Sequence, residues 1–551
     1  MTRDRADRAF RILLVQMPWS KHQTPIVPLP LLVLGTGLRE LQEQGHDFEY
    51  DLIDMDFMVK RGELEDSEAF FAGAAEILAA EGADAYLFTT HSPNESIVVQ
   101  VMEQLKLRRP ECICVMGGVI STLFARPLVE AFPWIDVVIK GEGEPVLGDL
   151  VVAAMGDRDF SIVPGAVGRK DGEIFENERV WVGKGEGFLY PDYDLVDLED
   201  YARESVRHPY LFPGFSPVES GRGCGNCCNF CSPAKMWRGR LRYRPIPEIH
   251  DEMRYLADHG FRFIFLTQDN IDEKFLRELC RYFIKHGNRI RWGCYARLYS
   301  LADETIEMMV EAGCRHVFVG FEAPDPQIQD FIRKSIDRQE SVRTVGKIGA
   351  MGVKLIGSFV ACVPGETREQ FAETMDFALE CAVGLSMERL RERVRDITLE
   401  QLPYAMTHYC VVNPLACNPG TDFYNDFKDQ LRFIEATTDE ESFGSVLFGA
   451  NDFVREHWRV VNNACFTLLS EEDHDFYYPI IRVFNAALGH PYFYAWLMVH
   501  NDMGTLELID TLAEQVGRRE VMRYTPAEFR EAVEGVLRRE WGVKVPRKAL
   551  L

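Results

Sequence analysis

Two long stretches of this chain alternate short apolar runs with amphipathic segments, and that alternation restricts the possible folds more than any other feature. In the first stretch RILLVQMP (Arg11 to Pro18), YDLIDMDF, DAYLFTT, CICVMGGVI and IDVVIKGEGE read as buried strands. LLVLGTGLRELQEQGHD, EDSEAFFAGAAEILAAEG, IVVQVMEQLKLRRP and LFARPLVEAFP read as the helices between them. Strands that alternate with helices pair in parallel and carry helices on both faces. Residues 1–150 are therefore expected to form a doubly wound, Rossmann-like α/β domain. Ligands of such sheets bind at the carboxyl ends of the strands.

The second series begins at Pro217. Its strand-like pieces are SPVES, FRFIFLTQDN, RIRWGCYAR, RHVFVGFEAP, VKLIGSFVACVPG and THYCVVNPLACNPG, with helical pieces such as PEIHDEMRYLADHG and EKFLRELCRYFIKHG between them. Six such units over residues 215–425 predict a partial (β/α)6 barrel, whose active site forms at the carboxyl ends of its strands. Residues 151–214 carry turn signals and read as a linker with one small hairpin, VPGAVGRKDGEIF. Residues 426–551 read as a helical C-terminal domain. Its aromatic stretches FYYP (Phe476 to Pro479) and HPYFYAW (His490 to Trp496) are more often core than pocket.

Charge and composition narrow the function classes. The 551 residues include 61 Lys plus Arg and 86 Asp plus Glu, a net charge of −25. A chain bound to nucleic acid through phosphates presents concentrated positive charge instead, so no nucleic-acid partner is expected. WRGRLRYR, from Trp237 to Arg244, is a local basic exception. The apolar run Ile26 to Leu38 is too short for a membrane span and is broken by Pro28 and Pro30. No signal segment is read in MTRDRADRAF. Fourteen cysteines, mostly scattered, then suggest reduced thiols and a cytoplasmic location.

One cysteine group is dense: SGRGCGNCCNFCSPAKMW. Cys224, Cys228 and Cys231 are spaced C-x3-C-x2-C. That spacing also suits one helix face, but Gly221, Gly223, Gly225, Asn226 and Pro233 disfavour a helix there. A loop of thiolates that converge from one short segment suits an iron–sulfur cluster. Structural zinc, the competing reading, usually takes four ligands, and no second pair of cysteines follows nearby. Three cysteines on a four-iron cluster leave one iron open, as a catalytic centre requires. Cys227 falls outside the spacing.

With these residues in view, the chain resembles the radical SAM superfamily. The resemblance implies a [4Fe–4S] cluster on Cys224, Cys228 and Cys231, with S-adenosylmethionine chelating the open iron. It places Phe230 near the adenine and matches Gly320, Phe321 and Glu322 to a G-x-E element that binds the cofactor. VPGET (Val363 to Thr367) and NPGTDFY (Asn418 to Tyr424) resemble loops of radical SAM enzymes with an N-terminal cobalamin domain.

By the same resemblance the first domain binds cobalamin, and the chain looks like a cobalamin-dependent radical SAM methyltransferase. Implied cobalamin contacts are Gly117 and Gly118 of MGG, Gly141, Glu142, Gly143 and Glu144 of KGEGE, and Ser92. D-x-H-x-x-G, which would supply a lower cobalt ligand, is absent; His46 and His91 lack its flanking residues. VQMPWS and the apolar loop after it resemble the subgroup that modifies ribosomal peptides or their amino acids, including tryptophan C2 methylation.

That comparison makes Glu273, or Asp269, a candidate to reach the open iron, against the alternative of an ordinary helix-start carboxylate. Tyr295 and Arg297 are further candidates for the catalytic residues, Arg297 through its planar fork on a carboxylate. A small-molecule or peptide substrate and an electron donor such as a ferredoxin or flavodoxin are the implied partners. A cobalamin enzyme that forms or rearranges rings without methylating, and a non-catalytic iron–sulfur or zinc protein, remain open.

Overall fold

The computed structural model describes residues 8–19, 24–91, 94–183, 187–207, 212–403, 407–434, 451–457, 459–460, 466–524 and 526–542. Its first sheet has the strands β1 (Phe10–Gln16), β2 (Phe48–Asp54), β3 (Ala85–Thr90), β4 (Ile113–Gly118), β5 (Val137–Ile139), β6 (Ala166–Lys170) and β7 (Glu173–Glu176), in spatial order 2-1-3-4-5-6-7. The first five are parallel. β3 is buried throughout, as a parallel strand covered on both faces must be. Helices Leu29–Glu43 and Leu147–Met155 cover one face, and Ala69–Glu81, Glu95–Arg108 and Val119–Ala131 the other.

Residues 151–214, expected as a linker, are a linker only in their second half. The predicted hairpin is β6–β7, and it pairs antiparallel with β5 as the sheet's edge. Ala166 and Val167 are fully buried there, which ties the hairpin to the first core rather than to the connector. The sheet thus runs to Glu176, past residue 150.

The second sheet is the six-stranded partial barrel: β8 (Phe215–Glu219), β11 (Phe263–Ile271), β12 (Arg291–Ala296), β13 (Cys314–Glu322), β14 (Lys354–Ala361) and β15 (Tyr409–Pro414), paired in that order and all parallel. Two short strands, β9 (Gly221–Arg222) and β10 (Arg242–Tyr243), form a separate antiparallel ladder beside β8. Alternation sorts the barrel side chains. Trp292 and Cys294 face the helical layer and are fully buried, while Phe263, Phe265 and Ile356 point into the lumen with Phe212. Phe212 stacks on Phe263 at 4.1 Å and meets His316 edge-on at 4.1 Å, so this end of the barrel is plugged. The opposite, carboxyl end is the open mouth.

The C-terminal helices Glu471–Leu488, Pro491–Asn501 and Thr505–Val516 join the barrel's outer core. Tyr477, Tyr492, Phe493 and Tyr494 are each 5% exposed or less, so these aromatics are packing. Asn485 completes the exposed edge of β15. Its Oδ1 accepts from the Val412 N–H at 2.9 Å and its Nδ2 donates to the Val412 carbonyl at 2.8 Å. A side-chain amide thus occupies the edge that another strand would otherwise seek. Among the described residues no helix is long and apolar enough to cross a membrane.

Candidate active site

The loop that carries the cysteines follows directly from β8 and β9, at the mouth of the barrel. Cys231 stands at the N-cap of a short helix, Ser232–Trp237, with Pro233 in its first turn. Cys228 is buried, Cys224 and Cys231 are half-buried, and Cys227 is exposed. The three spaced thiols are close enough to act on one another. Burial raises the Cys228 thiol, and Cys224 adds to it; burial and then Cys228 push Cys231 up to about 12. Arg297 and Lys334 pull Cys228 the other way. Among the described residues no three His, Cys, Asp or Glu side chains stand ready-made as a metal cage. What the loop offers is three soft thiols on one short segment, with two cations beside it. A metal deprotonates such thiols as it binds and releases their protons. The donor set therefore fits an iron–sulfur cluster.

Around this loop the barrel strands place their terminal side chains. Asn226 donates from Nδ2 to Cys224 Sγ at 3.2 Å and lies 3.4 Å from the Tyr299 hydroxyl, which ties the loop to the end of β12. Asp269, on β11, accepts the Gly223 N–H at 3.0 Å. Glu322 ends β13 with a left-handed φ of 64° and pairs with Lys334 at 2.6 Å. Pairing with the neighbouring strand is irregular at that point, and a bulge there re-aims the carboxylate. Phe230 packs with the apolar group Ala323, Ile328, Val360 and Val363 at the ends of β13 and β14, making one wall of the mouth.

Tyr295 points into the lumen between Phe265 and Phe318, at 4.9 and 5.1 Å. Arg297 lies at the mouth, 5.5 Å from the Tyr299 ring, and its charge reaches Cys228. Glu273 is elsewhere. It opens the helix Glu273–Lys285, where Asp272 is the cap and accepts the Phe275 N–H at 2.9 Å. The Glu273 carboxylate accepts from Thr305 Oγ1 at 3.0 Å and from Arg277 at 3.4 Å, between two outer helices. It therefore does not join the cysteines; of the two carboxylates considered, only Asp269 lies at the mouth. β11 ends at Ile271, and the immediate turn into the helix carries residue 273 outward.

The first sheet ends opposite this mouth. A cavity of about 430 Å³ lies between the two, lined on one side by Trp19, His91, Gly117, Gly118 and the loop Gly141 to Glu144, and on the other by Pro217, Glu219, Arg222, Trp237 and Thr267. Val27, Leu31 and Leu34 of the apolar segment after VQMPWS form its floor. Gly118 has φ 108°, and a Cβ there would strike the Thr90 carbonyl, so this turn accepts only glycine. At Gly117 a Cβ would meet nothing, because that face opens to the cavity. His91 stands on the cavity wall beside Trp19, while His46 precedes β2 at the sheet's other end. Ser92 lies outside the described residues.

Glu142 and Glu144 were expected as ligand contacts and do line the cavity, but each is also engaged by arginine. Arg222 donates to Glu142 at 2.5 Å, to Glu144 at 2.6 Å and to Glu219 at 2.7 Å. Arg242 also pairs with Glu142. This nearly buried network joins the KGEGE loop to the cysteine loop. Sequence reading missed Arg222, Lys334 and Glu219 as site residues. Arg222, two residues before Cys224, was the one with a visible signal.

Residues 218–378 match the model of the Radical SAM superfamily. The chain is 28% identical over 268 residues to an uncharacterised methyltransferase of Pyrococcus horikoshii, covering 48% of this chain and 57% of that one. It is 27% identical over 278 residues to the anaerobic magnesium-protoporphyrin IX monomethyl ester cyclase of Rubrivivax gelatinosus, with 49% of each covered. The chain thus spans about half the length of these curated relatives. Among solved structures it resembles the radical S-adenosylmethionine methyltransferase TsrM of Kitasatospora setae, with cobalamin and a [4Fe–4S] cluster bound, at TM-score 0.58 and 18% identity over 95% of this chain and 100% of that one. It also resembles the cobalamin-dependent S-adenosylmethionine radical enzyme OxsB, at TM-score 0.62 and 14% identity over 93% and 73%. The shared fold therefore includes both the doubly wound domain and the partial barrel.

Proposed function

We propose that this chain is a cobalamin-dependent radical SAM methyltransferase that methylates a carbon of a small molecule or peptide precursor. The observation that carries this is a juxtaposition. Arg222 and Trp237, which flank the C-x3-C-x2-C loop at the barrel mouth, face the glycine-lined carboxyl ends of a doubly wound sheet across one cavity. Cys224, Cys228 and Cys231 would hold the cluster, and Arg297 and Lys334 would offset its negative charge. Phe230 and the apolar residues beside it would pack against the adenosyl group of S-adenosylmethionine.

Gly117, Gly118, Trp19 and the Gly141–Glu144 loop would hold cobalamin, whose cobalt supplies a carrier for the methyl group when bound. No D-x-H-x-x-G histidine is available, and His91 is the histidine on the cavity wall. Tyr295 and the half-exposed Tyr299 give the mouth an aromatic rim that suits a flat substrate. Tryptophan, methylated at C2 of the indole, is the specific candidate, and natural-product biosynthesis its setting.

The test is anaerobic reconstitution with iron, sulfide and hydroxocobalamin, then incubation with methyl-labelled S-adenosylmethionine, a low-potential reductant and tryptophan. The expected result is iron and cobalamin uptake and labelled methyl on carbon. Replacing any one of Cys224, Cys228 and Cys231 by Ala should abolish the cluster's absorbance. Uptake of both cofactors without methyl transfer would favour the second reading, a ring-forming enzyme, which the likeness to the cyclase of Rubrivivax gelatinosus supports. No iron uptake at all would sink both. Formation of 5′-deoxyadenosine in step with product would assign radical rather than polar transfer.

A further inference from the structure

A net charge of −25 repels acidic macromolecules from most of this surface. One place stands out against it. Trp181 lies between two guanidiniums, Arg179 at 3.5 Å and Arg240 at 3.9 Å from its ring, with Arg238 at 5.7 Å. Arg238 and Arg240 are exposed. Among the described residues no carboxylate pairs with any of the three; Arg179 donates to the Met236 carbonyl instead. Burial, Arg238 and Arg240 together push Arg179 down to about 10. The contrast with Arg222 and Arg242 is sharp. Those two are matched by Glu142, Glu144 and Glu219, whereas the outer three are left with a free positive field.

The patch also adjoins both ends of the cysteine loop. Cys231 caps the start of the helix Ser232–Trp237, and Arg238 is its C-cap, with φ 49°. Six helical residues span about 9 Å, at about 1.5 Å each. By a second route, Gly223, the residue before Cys224, packs against the Arg240 carbonyl so closely that no side chain would fit. Both ends of the cysteine loop thus lead to this surface.

We propose that Arg179, Arg238, Arg240 and Trp181 form the docking face for a small acidic electron-transfer protein of the flavodoxin class, which reduces the cluster. The proposal rests on the reading of Cys224, Cys228 and Cys231 as cluster ligands. In the step, the donor's anionic flavin hydroquinone loses one electron and becomes the neutral semiquinone. The cluster gains that electron, and no proton crosses between the proteins. Charges at an interface rim steer the encounter and make it depend on salt.

The test uses the full chain and an acidic flavodoxin as the probe, with affinity measured by calorimetry at low and at physiological ionic strength. In the reconstituted protein, the rate of cluster reduction by flavodoxin is compared with that by dithionite. In R238Q/R240Q, flavodoxin affinity and reduction rate should fall about tenfold or more at low salt, with a flatter salt dependence. Iron content and reduction by dithionite should stay at the wild-type level. R238K/R240K, which keeps the charge, should bind close to wild type. Failure of the wild type to bind flavodoxin, wild-type binding by R238Q/R240Q, or equal loss in both variants would overturn the proposal. A wild-type protein that takes up no iron would instead sink the cluster reading, and the calorimetry would still report on the docking face.

Discussion

At the residue scale, the Arg222 network bears the most weight outside the thiols. One guanidinium, 11% exposed, is shared by three carboxylates from two domains. Removing one partner of such a group leaves uncompensated buried charge, at a cost of about 3–5 kcal/mol. Arg222→Ala should therefore lower unfolding free energy by that order in urea titrations, and a loss below about 1 kcal/mol would show the network to be solvated. Glu366 is a second case. It accepts the Cys362 N–H at 2.6 Å, and burial raises its carboxyl from 4.5 to about 7. A raised carboxyl binds its proton more tightly in the folded state, so its contribution is complete below about 4.5 and is lost as pH rises through about 7. Glu366→Gln should remove that decline, worth up to about 3 kcal/mol between the two values at about 1.4 kcal/mol per unit. A melting temperature with the same slope from pH 5 to 8 in both proteins would refute this. The thiols and Phe230 were legible as a motif, because their spacing is local. Asp269 and Lys334 were harder to place, because their roles depend on where strand ends point, and strand register at a bulge is not written in the local pattern.

At the element scale, alternation identified all six barrel strands and all five parallel strands of the first sheet. Both sheets are buried on two faces, and their apolar runs are correspondingly plain. The hairpin at β6–β7 was legible as a hairpin but not as an edge of the first sheet, since pairing to β5 is a long-range choice. Of the two readings of Glu273, the structure bears out the helix-start carboxylate, for a related reason. A carboxylate at a helix start and one at a strand end can be neighbours in sequence, yet Asp272 turns the chain between them. The two residues can be told apart by mutation. Asp272→Ala loses the side-chain cap on Phe275 and should cost about 1 kcal/mol. Glu273→Ala removes only half-exposed contacts to Arg277 and Thr305, so it should cost less than about 1 kcal/mol and leave iron content and the cluster's absorbance unchanged. Loss of the cluster in Glu273→Ala would restore the residue to the site.

At the scale of the whole molecule, the cavity is the joint between two sheets that each point their carboxyl ends at it. Helix Val119–Ala131 and the turn at Gly118 hold one wall, and β8 with Arg222 and Trp237, on either side of the cysteine loop, holds the other. A ligand that fills this joint contacts both domains at once, so it should stabilise them together. Binding to the folded state alone adds RT ln(1 + [L]/Kd), about 2.7 kcal/mol when ligand is at a hundred times Kd. Hydroxocobalamin should therefore raise the melting temperature of the wild-type protein in a concentration-dependent way. Gly117 offers a clean control, because a side chain there meets open cavity rather than protein. Gly117→Leu should fold with a melting temperature near that of the wild type without cobalamin, since a Cβ there meets no protein atom within 4 Å and the rest of the side chain extends toward the cavity. Its branched side chain would enter the space proposed for cobalamin, so added hydroxocobalamin should no longer shift the melting temperature. A full cobalamin shift in Gly117→Leu would mean that the ligand sits elsewhere, and the face-to-face arrangement of the two sheets would then need another purpose.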